Sequence, residues 1–274
     1  MENFNFKSKY NFDDLCKIMR ILRAPGGCPW DREQTHESIK SSFIEETYEA
    51  IEAINKNDKT LLCEELGDVL LQVVFHAEME EENGSFDIGD VCDGICKKLV
   101  ERHPHVFSSD SADTPQEVLV KWDEIKRKSK GQKSQGDSMK AVPLELPALM
   151  RAQKLQSKAK KAGFDWETVD GALDALRSEL SELDEARRGG DFASVEEEFG
   201  DVLFSAVNVA RFLGVDSEEA LTKSSNKFLE RYLIVENLAK ERGIDMKATP
   251  IDELDKLWVE AKTILNPIKA RDEE

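Results

Sequence analysis

Eight carboxylates in this chain fall into two sets with the same internal spacing. Glu46, Glu49, Glu65 and Asp68 form the first, and Glu179, Glu182, Glu198 and Asp201 the second. Within each pair the acids lie three residues apart, and the two pairs of a set are offset by 19 positions (46 to 65, 179 to 198). A Glu-rich chain produces many Glu-x-x-Glu pairs by chance, but a four-point match repeated at the same offsets reads as a duplicated site. Ionised acids gathered in one place repel, so the fold must raise their pKa values or supply a cation. A hard divalent ion is the natural partner, because Mg²⁺ and Mn²⁺ prefer carboxylate and water oxygens, whereas zinc and iron sites usually include His or Cys. The four histidines are His36, His76, His103 and His105; the second half has none, and no acid of either set belongs to a Glu-x-x-His pair of the di-iron type.

The elements needed to position such acids follow from the spacing. Residues three apart share one face of an α-helix, about 4.5 Å apart along its axis. In an antiparallel helical hairpin, residues equidistant from the turn lie opposite each other, and the cross-pairs centre on residue 57 in the first set and residue 190 in the second. Those midpoints fall in the breaker sequences Asn55-Lys56-Asn57-Asp58 and Arg188-Gly189-Gly190-Asp191. The expectation is four carboxylates converging across each hairpin, with Glu46 or Glu179 also able to take a proton from an attacking water. The alternative, that these acids are merely solvated helix faces, gives no reason for matched offsets or for the apolar runs Val69-Leu70-Leu71 and Val202-Leu203-Phe204 that begin just after each set.

The repeat continues beyond the acids. Lys98 and Arg102 in the first half answer Lys227 and Arg231 in the second, and Trp122 and Lys126 answer Trp258 and Lys262. Spacing of four keeps each pair on one helical face. Lys and Arg suit phosphate oxygens, and a Trp beside a Lys suits a stacked base with one more phosphate contact. All eight are candidate substrate-binding residues. No Gly-rich Walker loop occurs, which argues against a P-loop ATPase.

Glu45-Glu46-Thr47-Tyr48-Glu49 with Glu65-Leu66-Gly67-Asp68, Cys28-Pro29-Trp30-Asp31, and Glu101-Arg102-His103-Pro104-His105-Val106-Phe107 together resemble the MazG family of nucleoside triphosphate pyrophosphohydrolases in its two-domain bacterial form. The resemblance covers nearly the whole chain. It implies an all-α fold related to dimeric dUTPases, Mg²⁺ dependence, and hydrolysis of NTPs and dNTPs to the monophosphate and pyrophosphate. It also implies that the acids of both sets are metal ligands and that Lys227, Arg231, Trp258 and Lys262 contact nucleotide. The second set departs from the family pattern in having Ser178-Glu179 where two adjacent glutamates are expected.

Composition agrees with such a protein. The 274 residues are 40% hydrophobic and 34% charged, enough for two modest globular domains. No apolar run reaches the roughly 18 residues of a membrane span, and the polar start Met1-Glu2-Asn3-Phe4-Asn5 is not a signal peptide. The net charge of −18 argues against nucleic acid or an anionic membrane as partner. The five cysteines, Cys16, Cys28, Cys63, Cys92 and Cys96, lack a Cys-x-x-Cys and read as reduced thiols of a cytoplasmic protein; for Cys92 and Cys96, four apart on a helix, buried packing is expected ahead of a redox role. Helices are expected at 13–22, 39–54, 61–79, 88–100, 115–128, 146–162, 169–187, 195–212, 217–242 and 251–265, with little period-two alternation. The fold class is therefore a tandem all-α repeat: a first domain at 1–128, a linker at 129–145 whose stretch Lys128 to Met139 is rich in Ser, Gly, Lys and Gln, and a second domain at 146–274. A lone hairpin cannot bury its apolar faces, so hairpins are expected to associate into four-helix bundles, by homodimerisation, by pairing of the repeats, or both. Two other classes remain at this stage: a carboxylate-bridged redox metal protein, disfavoured by the histidines, and a non-catalytic helical interaction protein with one or both sites vestigial.

Overall fold

The computed structural model describes residues 4–108, 111, 114–129, 131 and 134–265. These form helices and connecting turns, with no strand among the described residues. The chain divides into two compact units, Met1–Lys126 and Arg127–Glu274.

In the first unit, α1 (Phe12–Arg23) opens on a capping box in which the Asn11 side chain accepts from the Asp14 amide and Asp14 accepts from the Asn11 amide. A tight turn leads into α2 (Pro29–Glu33), which begins on the proline of the Cys-Pro-Trp-Asp motif. A Cβ on Gly27 would lie 2.3 Å from the carbonyl oxygens of Ile21 and Leu22, so this turn has room only for glycine. Arg23 ties the region together, donating from Nη1 to the Asp31 carbonyl at 2.5 Å and pairing in two-pronged fashion with Glu82. The motif is thus a structural staple. Next come α3 (Lys40–Lys56) and α4 (Lys59–Glu82), which form the first hairpin. Met19, Ile39, Val74, Phe75 and Met79 are the buried core beneath it. The unit continues with α5 (Ile88–Arg102), the short α6 (Pro104–Phe107) and α7 (Pro115–Ser129), within which the division between units falls.

In the second unit, α8 (Gln135–Lys140) and α9 (Ala148–Lys161) precede the second hairpin, α10 (Val169–Gly189) with α11 (Phe192–Phe212); α12 (Ser217–Glu241) and α13 (Ile251–Leu265) follow. Val235, Ala239, Leu257 and Ala261 form a core between α12 and α13.

The ten expected helices are present, and their ends shift by no more than three residues. The expected linker stretch differs. Residues 130, 132 and 133 of it lie outside the described residues; from Ser134, which caps α8 through a second capping box, the chain is folded, and Lys158 of α9 donates to the buried Ser138 at 2.5 Å. Cys92 and Cys96 are also exposed rather than buried, because α5 leans on the core through Ile88 and turns its middle outward.

Candidate metal and nucleotide site

The two hairpins turn at the residues the acid spacing singles out. Asn57 caps α3 in the left-handed conformation (φ 53°), and Asp58 then caps α4 by accepting from the Thr60 and Leu61 amides. Gly190 caps α10 in the same conformation (φ 77°), and Asp191 caps α11 by accepting from the Ala193 and Ser194 amides. Each turn is therefore a left-handed residue followed by a capping aspartate. This geometry sends the second helix straight back along the first.

Across each hairpin the acids meet. Carboxylate oxygens of Glu46, Glu49 and Glu65 lie within 4.8 Å of one another, and so do those of Glu179, Glu182 and Glu198. Asp68 and Asp201, one turn further along α4 and α11, stand outside these trios, but their charges are felt there. The Glu46 carboxyl is raised above its ordinary value by desolvation, then by Asp68, Glu49 and Glu45, with a hydrogen bond from Gln72 opposing. Desolvation and then Glu49 and Asp68 raise Glu65. In the second unit desolvation followed by Glu182 and Asp201 raises both Glu179 and Glu198. Crowded carboxylates that resist ionisation are the donor set a hard divalent cation satisfies, and no His or Cys belongs to either trio. The residues fit Mg²⁺ or Mn²⁺.

The departure at Ser178 has a local account. Ser178 takes the place of Glu45 and donates to Glu182 at 3.0 Å, so a hydrogen bond replaces a repelling charge.

The basic and aromatic candidates are arranged differently from their spacing. Lys98 and Lys227 are exposed, whereas Arg102 is buried (9% exposed) with its guanidinium 5.5 Å from the centre of the Trp122 ring. Lys126 Nζ lies 6.0 Å from the same ring. In the second unit Arg231 sits 5.7 Å from the Trp258 ring, with Phe228 at 5.2 Å, and Lys262 is exposed. The same Arg-on-Trp pair is thus built twice. Arg102 Nε, Arg231 Nε, Trp122 Nε1 and His105 Nδ1 are buried without hydrogen-bond partners. Among the described residues no ion pair joins Lys98, Arg102, Lys227 or Arg231 to the acids.

A model of the MazG nucleotide pyrophosphohydrolase domain matches twice, over residues 34–107 and 167–235. The chain belongs to this family. The two matched segments contain both hairpins with all eight acids, and Lys98, Arg102, Lys227 and Arg231; Trp122 and Trp258 lie outside them. Similar over most of its length is the nucleoside triphosphate pyrophosphohydrolase/pyrophosphatase MazG of Thermotoga maritima, 47% identical over 92% of this chain and 95% of that protein. The nucleoside triphosphate pyrophosphohydrolase of Escherichia coli K12 is 45% identical over 91% of this chain and 96% of that protein. A mycobacterial relative of that name, from Mycolicibacterium smegmatis, matches 60% of this chain at 39% identity.

One group of the first MazG repeat is missing from the sequence reading. Gln72 and His76 follow Asp68 at intervals of four on α4, and His76 meets His36 through a 2.6 Å contact between their Nδ1 atoms. The spacing was available, but the histidines bore only on the choice of metal, and the approach of His36 depends on tertiary packing.

Proposed function

We propose that each repeat holds Mg²⁺ through its acids and that the chain hydrolyses nucleoside triphosphates between the α and β phosphorus, giving the monophosphate and pyrophosphate. The observation that supports this most is the twin trio of carboxylates, each across a hairpin of the MazG domain. Glu46, Glu49, Glu65 and Asp68 would hold the ion in the first repeat, and Glu179, Glu182, Glu198 and Asp201 in the second. When bound, Mg²⁺ supplies charge neutralisation at the phosphates and a water of lowered pKa.

The side chains do the rest by positioning. Glu46 and Glu179, whose carboxyls resist ionisation, would accept the proton of the attacking water at a carboxylate oxygen. Arg102 and Arg231, fixed against their tryptophans with Nε uncommitted, and the exposed Lys98 and Lys227 are suited to bind and orient phosphate oxygens of the leaving pyrophosphate. Trp122 and Trp258, with Lys126 and Lys262, complete the nucleotide contacts.

A homodimer is the assembly this reading favours. Leu66 and Leu70 on α4 are 54% and 40% exposed, and Phe199 and Leu203 at the same places on α11 are 53% and 46% exposed. Apolar pairs at helical spacing on both hairpins leave each with an uncovered face, which a second copy closes into a four-helix bundle. The cellular setting proposed is the cytoplasm, in keeping with five unpaired thiols.

Purified protein given an NTP and Mg²⁺ should release pyrophosphate and NMP, and chelation should abolish the reaction. Orthophosphate and NDP as products would overturn the assignment.

A further inference from the structure

In the first unit, α1 and the first turn of α5 leave an open groove of about 500 Å³ between them. Phe12, Cys16 and Arg20, at successive intervals of four on α1, line one side, and Ile88 and Cys92, four apart on α5, line the other. Arg20 also bonds to Glu81 near the end of α4, about 24 Å along that helix from Glu65. The groove is thus well removed from the acids.

A thiol stands on each side of it. Cys16 is half-buried and packs against the core of Met19, Val74, Phe75 and Met79, and Ile88, one turn before Cys92, packs against the same core. Cys92 itself is exposed. Burial, and after it Asp13, push the Cys16 thiol above its ordinary pKa, and Cys92 adds a smaller upward push, so the two sulfurs share one electrostatic neighbourhood.

The other exposed thiols are placed differently. Cys96 lies one turn beyond Cys92 on the same helix, and Cβ atoms four residues apart on a helix are about 5–6 Å from each other. A disulfide needs roughly 3.5–4.5 Å, so Cys92 and Cys96 pair poorly. Cys63 stands on α4, two residues before Glu65. Cys16 and Cys92 belong to different helices, and the open volume between those helices is the space in which they close.

We propose that Cys16 and Cys92 form a dithiol site that a low-molecular-weight disulfide oxidises to a Cys16–Cys92 bond across the groove. The exposed Cys92 Sγ, as thiolate, attacks one sulfur of the reagent and expels the other as a thiolate, leaving a mixed disulfide on Cys92. Cys16 Sγ, on losing its proton, attacks Cys92 Sγ and expels the second small thiolate. The two cysteine protons go to the two released thiolates, and the two electrons lost by the protein reduce the reagent. Burial makes Cys16 the poorer first nucleophile, which sets this order. A reducing cytoplasm keeps such a pair open, and a rise in small disulfides closes it. Because α5 also carries Lys98 and Arg102, the bond fixes the start of the helix that bears two of the proposed phosphate contacts.

The test exposes the reduced full chain to oxidised glutathione and maps its peptides by mass spectrometry. Cleavage before Asp68 and Asp93 parts Cys63, Cys92 and Cys96 from one another. Cys16 and Cys92 should be found joined, both lost as free thiols, while Cys63 and Cys96 carry glutathione; dithiothreitol should restore all five thiols. Cys16→Ser should stop the reaction at glutathione on Cys92. Glutathione on Cys92 with Cys16 still a free thiol in the unaltered chain would overturn the inference. So would a Cys92–Cys96 bond, or cross-links scattered among the five cysteines. The mapping of the unaltered chain needs no substitution, so a poorly folded variant cannot decide the outcome.

Discussion

Glu45 and Ser178 hold equivalent places, and the contrast bears on how the two sites load. In the first repeat Glu45 adds to the repulsion that raises Glu46, whereas Ser178 donates to Glu182. A carboxyl whose folded pKa lies above its unfolded value costs the metal-free fold stability at high pH and returns it as pH falls through the raised value. Protons and Mg²⁺ therefore compete for the same oxygens. Mg²⁺ titrated calorimetrically should bind more weakly at pH 5 than at pH 7.5 and should release protons at the lower pH; affinity unchanged between the two would mean that the raised acids are not the ligands. Asp68→Asn and Asp201→Asn each remove a charge at constant volume, and each should lower its own repeat's pyrophosphate release more than the roughly 10–100-fold of an outer-sphere partner. A folded double mutant with near wild-type activity would remove the acids from the mechanism. At this scale the acids were legible, because spacing alone places them on one helical face. The Arg-on-Trp pairs were not, because α5 meets α7 and α12 meets α13 only through tertiary packing, and nothing in the run Lys98 to Arg102 says that the arginine turns inward.

The hairpin is the element that makes the site, and its turn is where the sequence specified it most closely. An antiparallel pair whose acids face each other must reverse at the midpoint between them, and Asn57 and Gly190, both able to take positive φ, stand there. No atom lies within 4 Å of a Cβ built on Gly190, so Gly190→Ala meets no clash and pays only for the left-handed backbone. The second unit should lose about 1 kcal/mol, read as a lower urea midpoint with unchanged slope, whereas Asn57→Gly should be close to neutral. The short helices escaped sequence reading. Helices α2 and α6 each begin on a proline, a start signal that was present in Pro29 and Pro104 but followed by too few residues to show a period. Helix α8 was hidden by its composition, since Ser, Gly and Lys read as a linker until the capping box and the Lys158 contact are seen.

For the whole molecule, the exposed apolar pairs on α4 and α11 predict self-association. Sedimentation should give a dimer or a larger even assembly, and Leu66→Glu with Leu203→Glu should shift it towards monomer; a wild-type monomer at micromolar concentration would contradict the bundle. No helix among the described residues is long and apolar enough to cross a membrane. The division into two units, each with a buried core of its own, bears on how the chain comes apart. A single melting temperature presumes one cooperative transition, and a chain with two cores need not have one. Each core is expected to melt in a step of its own, and a nucleotide held by one repeat should raise only that step, by an amount set by its concentration relative to its dissociation constant. The spread between the two steps then records which repeat is occupied, even for a repeat that turns over no substrate.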